Sequence, residues 1–299
     1  MKILFAGDGN IDLQFTGLAS LPEVDREVTC TGFAATVGGS TTICAAAYAL
    51  LGGEGEYAGL FGDDAYGHLL ARLLGEAGVG LDLLRFTAEC ATGVTVNLVH
   101  GSTRTQVTYP GTLSLVDETE AIVREIGRFG HVHLAGLYPL ARFLPRVREV
   151  LAAARAAGLT TSLTTQWDPT EAWRGLDEWL PLLTWCFVNE EEAFSITGRR
   201  GVEEAWRELA ARTACPLVTR GGAGAYAAGR FFSAVPVSVT DTTGAGDTFA
   251  AAFLWARRKM GKPLEAAVRY AGAAGALSCT YTGGVSPQLR HARVTEMLS

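Results

Sequence analysis

Asp241-Thr242-Thr243-Gly244-Ala245-Gly246-Asp247-Thr248-Phe249 places one carboxylate among small residues at the start of a helix. Downstream, Phe249, Ala252, Phe253 and Ala256 recur at helical spacing; upstream, Val235, Val237 and Val239 alternate as strand residues do. The spacing therefore predicts a strand-to-helix turn at 244–247. Arg257, Arg258 and Lys259 fall in the last turn of that helix, and Gly261 and Pro263 mark its end. The first amides of a helix have no intrahelical partner and the helix dipole adds partial positive charge, so this turn can hold an anion without a lysine. Gly244, Ala245 and Gly246 keep side chains out of the way, and Asp247 stands beside them as a candidate proton acceptor. The alternative is that Asp247 is a first-turn acid that only stabilises the helix.

Working outward, 299 residues with 48% hydrophobic content are enough for a large α/β core. No apolar run is long enough to span a membrane, and Met1 to Ala6 leads into Gly7-Asp8-Gly9 rather than a signal-peptide cleavage region, so a cytoplasmic protein is expected. A net charge of −6 argues against nucleic acid as the partner, while local amides still allow a small anionic ligand. Cys30, Cys44, Cys90, Cys186, Cys215 and Cys279 have no Cys-x-x-Cys spacing and suit reduced thiols.

Strand-like runs at 2–6, 91–99, 131–134, 159–164, 186–188 and 217–218 alternate with helix-like runs at 42–51, 67–77, 144–157, 191–197, 203–211 and 263–277. This alternation predicts a doubly wound, mainly parallel α/β sheet flanked by helices, with ligands gathering beyond the carboxyl ends of the strands. Two runs differ, because Ile11, Leu13 and Phe15 alternate with polar residues, as do Val94, Val96 and Leu98. With 103–109 they predict a small β-sheet lid, its polar face toward a hydrophilic substrate and its apolar face toward a homodimer partner. An ordinary surface hairpin is the alternative. No repeat or linker interrupts the chain, so one α/β domain over 1–299 is expected, with lid strands from about 10–36 and 91–112.

Gly7-Asp8-Gly9-Asn10-Ile11-Asp12 begins like a dinucleotide fingerprint but lacks the third glycine. A P-loop is excluded, because the only lysines are Lys2, Lys259 and Lys262 and none follows the required glycines. His131 and His133 share a strand face but have no third ligand nearby, which reads as structural.

Taken together, the stretch at 241–249, Gly59-Leu60-Phe61-Gly62-Asp63-Asp64-Ala65-Tyr66-Gly67, the run 7–12, Gly38-Gly39, Asn189-Glu190-Glu191-Glu192-Ala193 and the run 218–225 resemble the ribokinase-like, or PfkB, carbohydrate kinase family. They occur in the family's order over nearly the whole chain. The resemblance implies an ATP- and Mg2+-dependent kinase that phosphorylates a hydroxyl, by expectation a primary one, of a sugar or sugar-like substrate. A nucleoside or a 2-keto-3-deoxy sugar acid is the alternative substrate, and a catalytically silent sugar- or nucleoside-binding regulator the alternative class.

By the same resemblance, Asp247 is the base and Gly244, Ala245 and Gly246 stabilise the transferring group. Asp12, Gly38 and Gly39 bind the sugar. Asn189, Thr219, Gly221 and Gly224 border the nucleotide, Glu192 orders Mg2+ through water, and Asp241 and Thr243 belong to a possible K+ site. Where ribokinases continue Gly-Gly-Lys-Gly-Ala-Asn, this chain has Gly38-Gly39-Ser40-Thr41-Thr42-Ile43, with Ile43 at the place of a sugar-binding asparagine. Asn97, on the polar face of a lid strand, is the candidate to compensate, or else an exposed strand residue. Trp167-Asp168-Pro169 resembles an Asp-Pro-Asn segment but ends in Thr170; a loop with Trp167 packed as core is the other reading.

Overall fold

The apolar run Ile3–Gly7 forms strand β1, with every residue buried, as expected for a strand covered by helices on both faces. The structure is a computed structural model that describes residues 1–100 and 103–298; the parts of the expected lid and domain at 101–102 and 299 lie outside them. After β1 come β2 (Asn10–Thr16), β3 (Gly32–Gly38), α1 (Ser40–Leu50), β4 (Gly55–Gly62), α2 (Ala65–Ala77), β5 (Gly80–Thr87), β6 (Val94–His100) and β7 (Thr103–Tyr109). Then follow α3 (Thr119–Glu125), β8 (His131–Ala135), α4 (Val147–Ala156), β9 (Thr160–Thr164), α5 (Leu176–Trp179), β10 (Trp185–Asn189), α6 (Glu190–Thr197) and α7 (Val202–Ala210). The chain continues through β11 (Pro216–Thr219), β12 (Gly224–Ala227), β13 (Arg230–Ser233), α8 (Ala245–Arg258), α9 (Leu264–Ser278) and α10 (His291–Glu296).

Nine strands make one sheet in the order β13-β12-β11-β10-β9-β8-β1-β4-β5. Its pairs are parallel from β11 to β5, and β11-β12-β13 is antiparallel. Alternate residues of β1 enter opposite cores, Ile3 and Phe5 on the side of α1, α2, α8 and α9, Leu4 and Ala6 on the side of α3 to α7. Helix α8 is buried continuously from Asp247 to Ala256, so it is a central helix. Each large side chain there, such as Phe253, contributes about 1.5–3 kcal/mol by leaving water.

The second sheet, β3-β2-β6-β7, pairs antiparallel except for the parallel pair β2–β6. As the period-two pattern requires, it has a polar and an apolar face. Asp12 stands opposite Thr95 and Gln14 opposite Asn97, all four buried, while Phe33, Val107 and Tyr109 on the other face are exposed.

One expectation fails. Val235, Val237 and Val239 belong to no strand; residues 234–239 are irregular, and the three valines line a cavity beside α8 and α9. The turn before α8 is therefore loop-to-helix. Alternation marks side chains that share a direction, and here a cavity wall supplied the reason for it. His131 and His133 do share a face and hydrogen-bond the same Ser162 hydroxyl at 2.7 Å each.

Candidate active site

Helix α8 starts from Gly244, which is left-handed at φ 71°. A Cβ there would lie 2.8 Å from Ile43 Cγ2 and 2.9 Å from the Gly284 Cα, so only glycine fits. Ile43 is thus a wedge packed against both Gly244, at the start of α8, and Gly284, beyond α9, which accounts for an apolar residue at that position. The Ala245 amide donates to the Thr242 carbonyl at 3.3 Å, a correction to the expectation that all three small residues offer free amides. Among the described residues the Gly244, Gly246 and Asp247 amides have no acceptor, consistent with an open helix start. Asp241 braces this turn: Oδ1 accepts from the Thr243 amide (2.9 Å) and hydroxyl (2.7 Å), and Oδ2 from the Gly283 amide (2.8 Å).

Asp247 is 9% exposed. Burial pushes its carboxyl up to about 7; a hydrogen bond from Ser40 opposes this, and the charges of Asp8, Glu192 and Asp12 reinforce it. The Ser40 hydroxyl donates to Asp247 Oδ1. Ser40 is placed by Asp8, whose Oδ2 accepts from the Ser40 amide (3.0 Å) and Oδ1 from the Thr41 amide (2.8 Å). That bond pair starts α1 at Ser40, two residues before the predicted boundary. Burial raises the Asp8 carboxyl as well, against those amide bonds.

Asp12 faces the same space from β2, and Asn10 Nδ2 donates to its Oδ1 at 3.0 Å and to Thr95 Oγ1 at 3.1 Å. Gly38 lies against it, since a Cβ there would fall 2.1 Å from Asp12 Oδ1; Gly39, at φ 84°, follows directly. Asn97 is wholly buried and accepts from Gln106 Nε2 at 2.7 Å, which rules out the exposed-strand reading. Among the described residues, Asn97 Nδ2 and both amide atoms of Gln14 are buried without a hydrogen-bond partner, on the face that also carries Asp12. Buried amides left so are polar groups waiting for hydroxyls or water.

On the other side of Asp247 lies a cavity of about 380 Å³ lined by Asn189, Thr219, Gly221, Gly224, Ala245, Gly246, Phe249, Gly272 and Gly275, together with the three valines. The nucleotide-bordering residues named from sequence thus come together. Asn189 and Glu192 form a capping box on α6: the Glu192 amide donates to Asn189 Oδ1 (2.8 Å), and Glu192 Oε2 accepts from the Asn189 amide (3.0 Å) and the Thr165 hydroxyl (2.8 Å). Burial raises the Glu192 carboxyl, which stands within electrostatic reach of Asp247. Asp168 serves its own loop, accepting from the Thr170 and Trp173 amides, and Trp167 is exposed rather than core. A larger cavity of about 520 Å³ beside Tyr138, Arg148, Arg174 and Trp179 contains none of the predicted site residues.

Two residues beside Asp247 were given no role in the sequence reading, Asp8 and Ser40. Their signal is weak, because a carboxylate after a strand and a serine after Gly-Gly are common; only their meeting across the fold marks them.

A buried carboxylate beside an open helix start, with a glycine-lined cavity on one side and a polar lid on the other, defines a phosphotransferase with an alcohol acceptor. A family model described as pfkB family carbohydrate kinase matches residues 2–291, and the chain belongs to that family. It is 30% identical to a fructokinase of Klebsiella pneumoniae over 305 residues, 95% of each chain. It is 28% identical to the ribokinase of Bacillus subtilis over 304 residues, 100% of this chain and 99% of that one. Among solved structures, a putative ribokinase from Agrobacterium tumefaciens superposes with a TM-score of 0.85 at 25% identity, over 99% of this chain and 97% of that one. Arabidopsis thaliana ribokinase complexed with ribose and ATP gives a TM-score of 0.81 at 24% identity, over 100% and 98%.

Proposed function

We propose that this kinase moves the γ-phosphoryl group of ATP to a primary hydroxyl of a sugar held between Asp12 and the anion turn. The observation that carries this reading is Asp247, buried, held near neutrality by burial and set beside the unpaired amides of α8. Asp247 takes the proton of the attacking hydroxyl, and the Gly244 and Gly246 amides receive the charge on the transferring oxygens. Asp12, Gly38 and Gly39 hold the sugar, and the Asn97 amide takes a further hydroxyl. ATP occupies the cavity bordered by Asn189, Thr219, Gly221 and Gly224. One catalytic unit carries both sheets, the smaller one acting as a lid.

Among the described residues no cluster of three acidic, histidine or cysteine side chains could enclose a metal ion. That fits Mg2+, which is commonly held by one or two carboxylates, water and phosphate oxygens. Glu192 is the residue proposed to order it through water, and the ion, when bound, would supply positive charge to offset that of the nucleotide's phosphates. Asp241 and Thr243 are proposed as part of a K+ site. Asp241 already accepts three hydrogen bonds, so main-chain carbonyls supply most of its ligands, and rates with and without K+ test the site. The exposed Phe33, Val107 and Tyr109 support a homodimer through the lid.

A phosphorylation screen of pentoses, hexoses, keto-deoxy acids and nucleosides with ATP and Mg2+ tests the whole. Turnover on a sugar that is lost in Asp247→Asn is the expected result. Silence across the panel overturns the assignment in favour of a non-catalytic binder.

A further inference from the structure

Ser40 is 1% exposed, and its hydroxyl donates to a carboxylate 207 residues away, Asp247 Oδ1. A serine in the first turn of a helix commonly satisfies itself on a nearby carbonyl. Thr42 does so here with the Gly38 carbonyl, whereas Ser40 is turned away from α1 toward Asp247. Its position is fixed from behind. Asp8 grips the Ser40 and Thr41 amides, and the Thr41 hydroxyl donates to the Ala135 carbonyl at 2.8 Å, tying the start of α1 to the end of β8. Asp8 in turn abuts Gly136, where a Cβ would lie 2.0 Å from the Asp8 carboxyl carbon. The hydroxyl therefore comes from a braced helix start.

We propose that Ser40 is a positioning residue for the base: by holding Asp247 Oδ1 it directs Oδ2 to the substrate hydroxyl and keeps the carboxyl ionised at the working pH. This rests on the kinase reading above. A carboxylate can accept at both oxygens, and one strong donor on Oδ1 orients the plane of the group so that only Oδ2 remains for proton transfer. A hydrogen bond to the charged form also favours that form. It is needed here because the groups facing Asp247 are acids or a thiol: Asp8 from the end of β1, Asp12 from β2, Glu192 from α6 and Cys44 from α1. Asp8, Asp12 and Glu192, like burial, favour the protonated carboxyl, the buried thiol stays neutral, and Ser40 opposes the acids.

The test follows the Asp247 carboxyl by 13C NMR titration of aspartate-labelled protein, with Asp247→Asn assigning the resonance, alongside kcat against pH. Ser40→Ala is expected to raise the titration midpoint by about one pH unit. The acid limb of kcat moves up with it, turnover at pH 6.5 drops about tenfold, and the KM for ATP stays within about twofold. Ser40→Thr, which keeps the hydroxyl, restores the midpoint. Ser40→Cys, with a weaker donor of similar size, serves if the alanine variant does not fold and is expected to fall between. A midpoint and acid limb unmoved in Ser40→Ala, with only its melting temperature lowered, overturn the proposal and leave Ser40 a packing residue. Failure of the wild type to phosphorylate any alcohol instead removes the kinase reading, and the titration still reports whether Ser40 controls the carboxyl.

Discussion

Replacing Asp247 by asparagine is expected to cut turnover sharply and, in the same step, to stabilise the protein above neutral pH. Folding raises this carboxyl from 3.8 to about 7, so the folded chain binds its proton more tightly than the unfolded chain does. Wild-type stability from this group is full below about pH 4, falls as pH rises to 7, and is flat above. At 1.36 kcal/mol per pH unit, the penalty for ionising the buried group approaches about 4 kcal/mol at pH 8. Local relaxation and water entry reduce it, and about 2 kcal/mol is expected. Asparagine keeps the shape, accepts the Ser40 hydroxyl and carries no charge at any pH. Asp247→Asn should therefore melt roughly 4 °C above wild type at pH 8, while the two converge near pH 4. Urea or thermal unfolding of both proteins across pH 4–8 measures the difference, and turnover should fall by roughly 10²–10⁴. A variant no more stable at pH 8 than wild type, or one that retains turnover, refutes the reasoning.

Gly244→Ala must push its Cβ into Ile43 and the Gly284 backbone at a positive φ; about 2 kcal/mol of stability and most of kcat should go, as calorimetry and a coupled assay will show. Asp12→Ala should raise the sugar KM by about tenfold or more while leaving the ATP KM unchanged, and an unchanged sugar KM removes Asp12 from the site. Burial holds His133 near 3 and depresses His131 as well, so both favour the fold while neutral. Their contribution is full above pH 6.5 and is lost as pH falls toward 3, by up to ~1.4 kcal/mol per pH unit for each histidine. Unfolding in the Asp247→Asn background isolates this slope from the opposite one of Asp247. Phe33→Glu should halve the mass seen by light scattering if the lid face pairs two copies, and an unchanged mass removes that pairing.

Local chemistry made much of this site readable. A helix start needs amides, small residues and a cap, and all of these lie within a few neighbours, so Gly244 to Asp247, Asn189 with Glu192, and the two faces of the lid strands could be placed from their own stretches. Alternation was ambiguous where a cavity imitated a strand, as at Val235 to Val239, because a period of two reports a shared direction and says nothing about hydrogen-bond partners. A lone carboxylate is equally ambiguous: Asp247 as helix stabiliser and Asp247 as base share one spelling.

The sequence by itself determined the alternation of elements, the small-residue start of the helix at 244–247, the two-faced lid strands and the family. Only the tertiary structure decided that Asp8 braces Ser40, that Ser40 grips Asp247, and that Ile43 wedges against Gly244 rather than reaching for a sugar. Those contacts join segments up to 207 residues apart. Burial and the charge of neighbours, which set a carboxyl's proton affinity, are properties of the packed arrangement and leave no mark on any one stretch of chain.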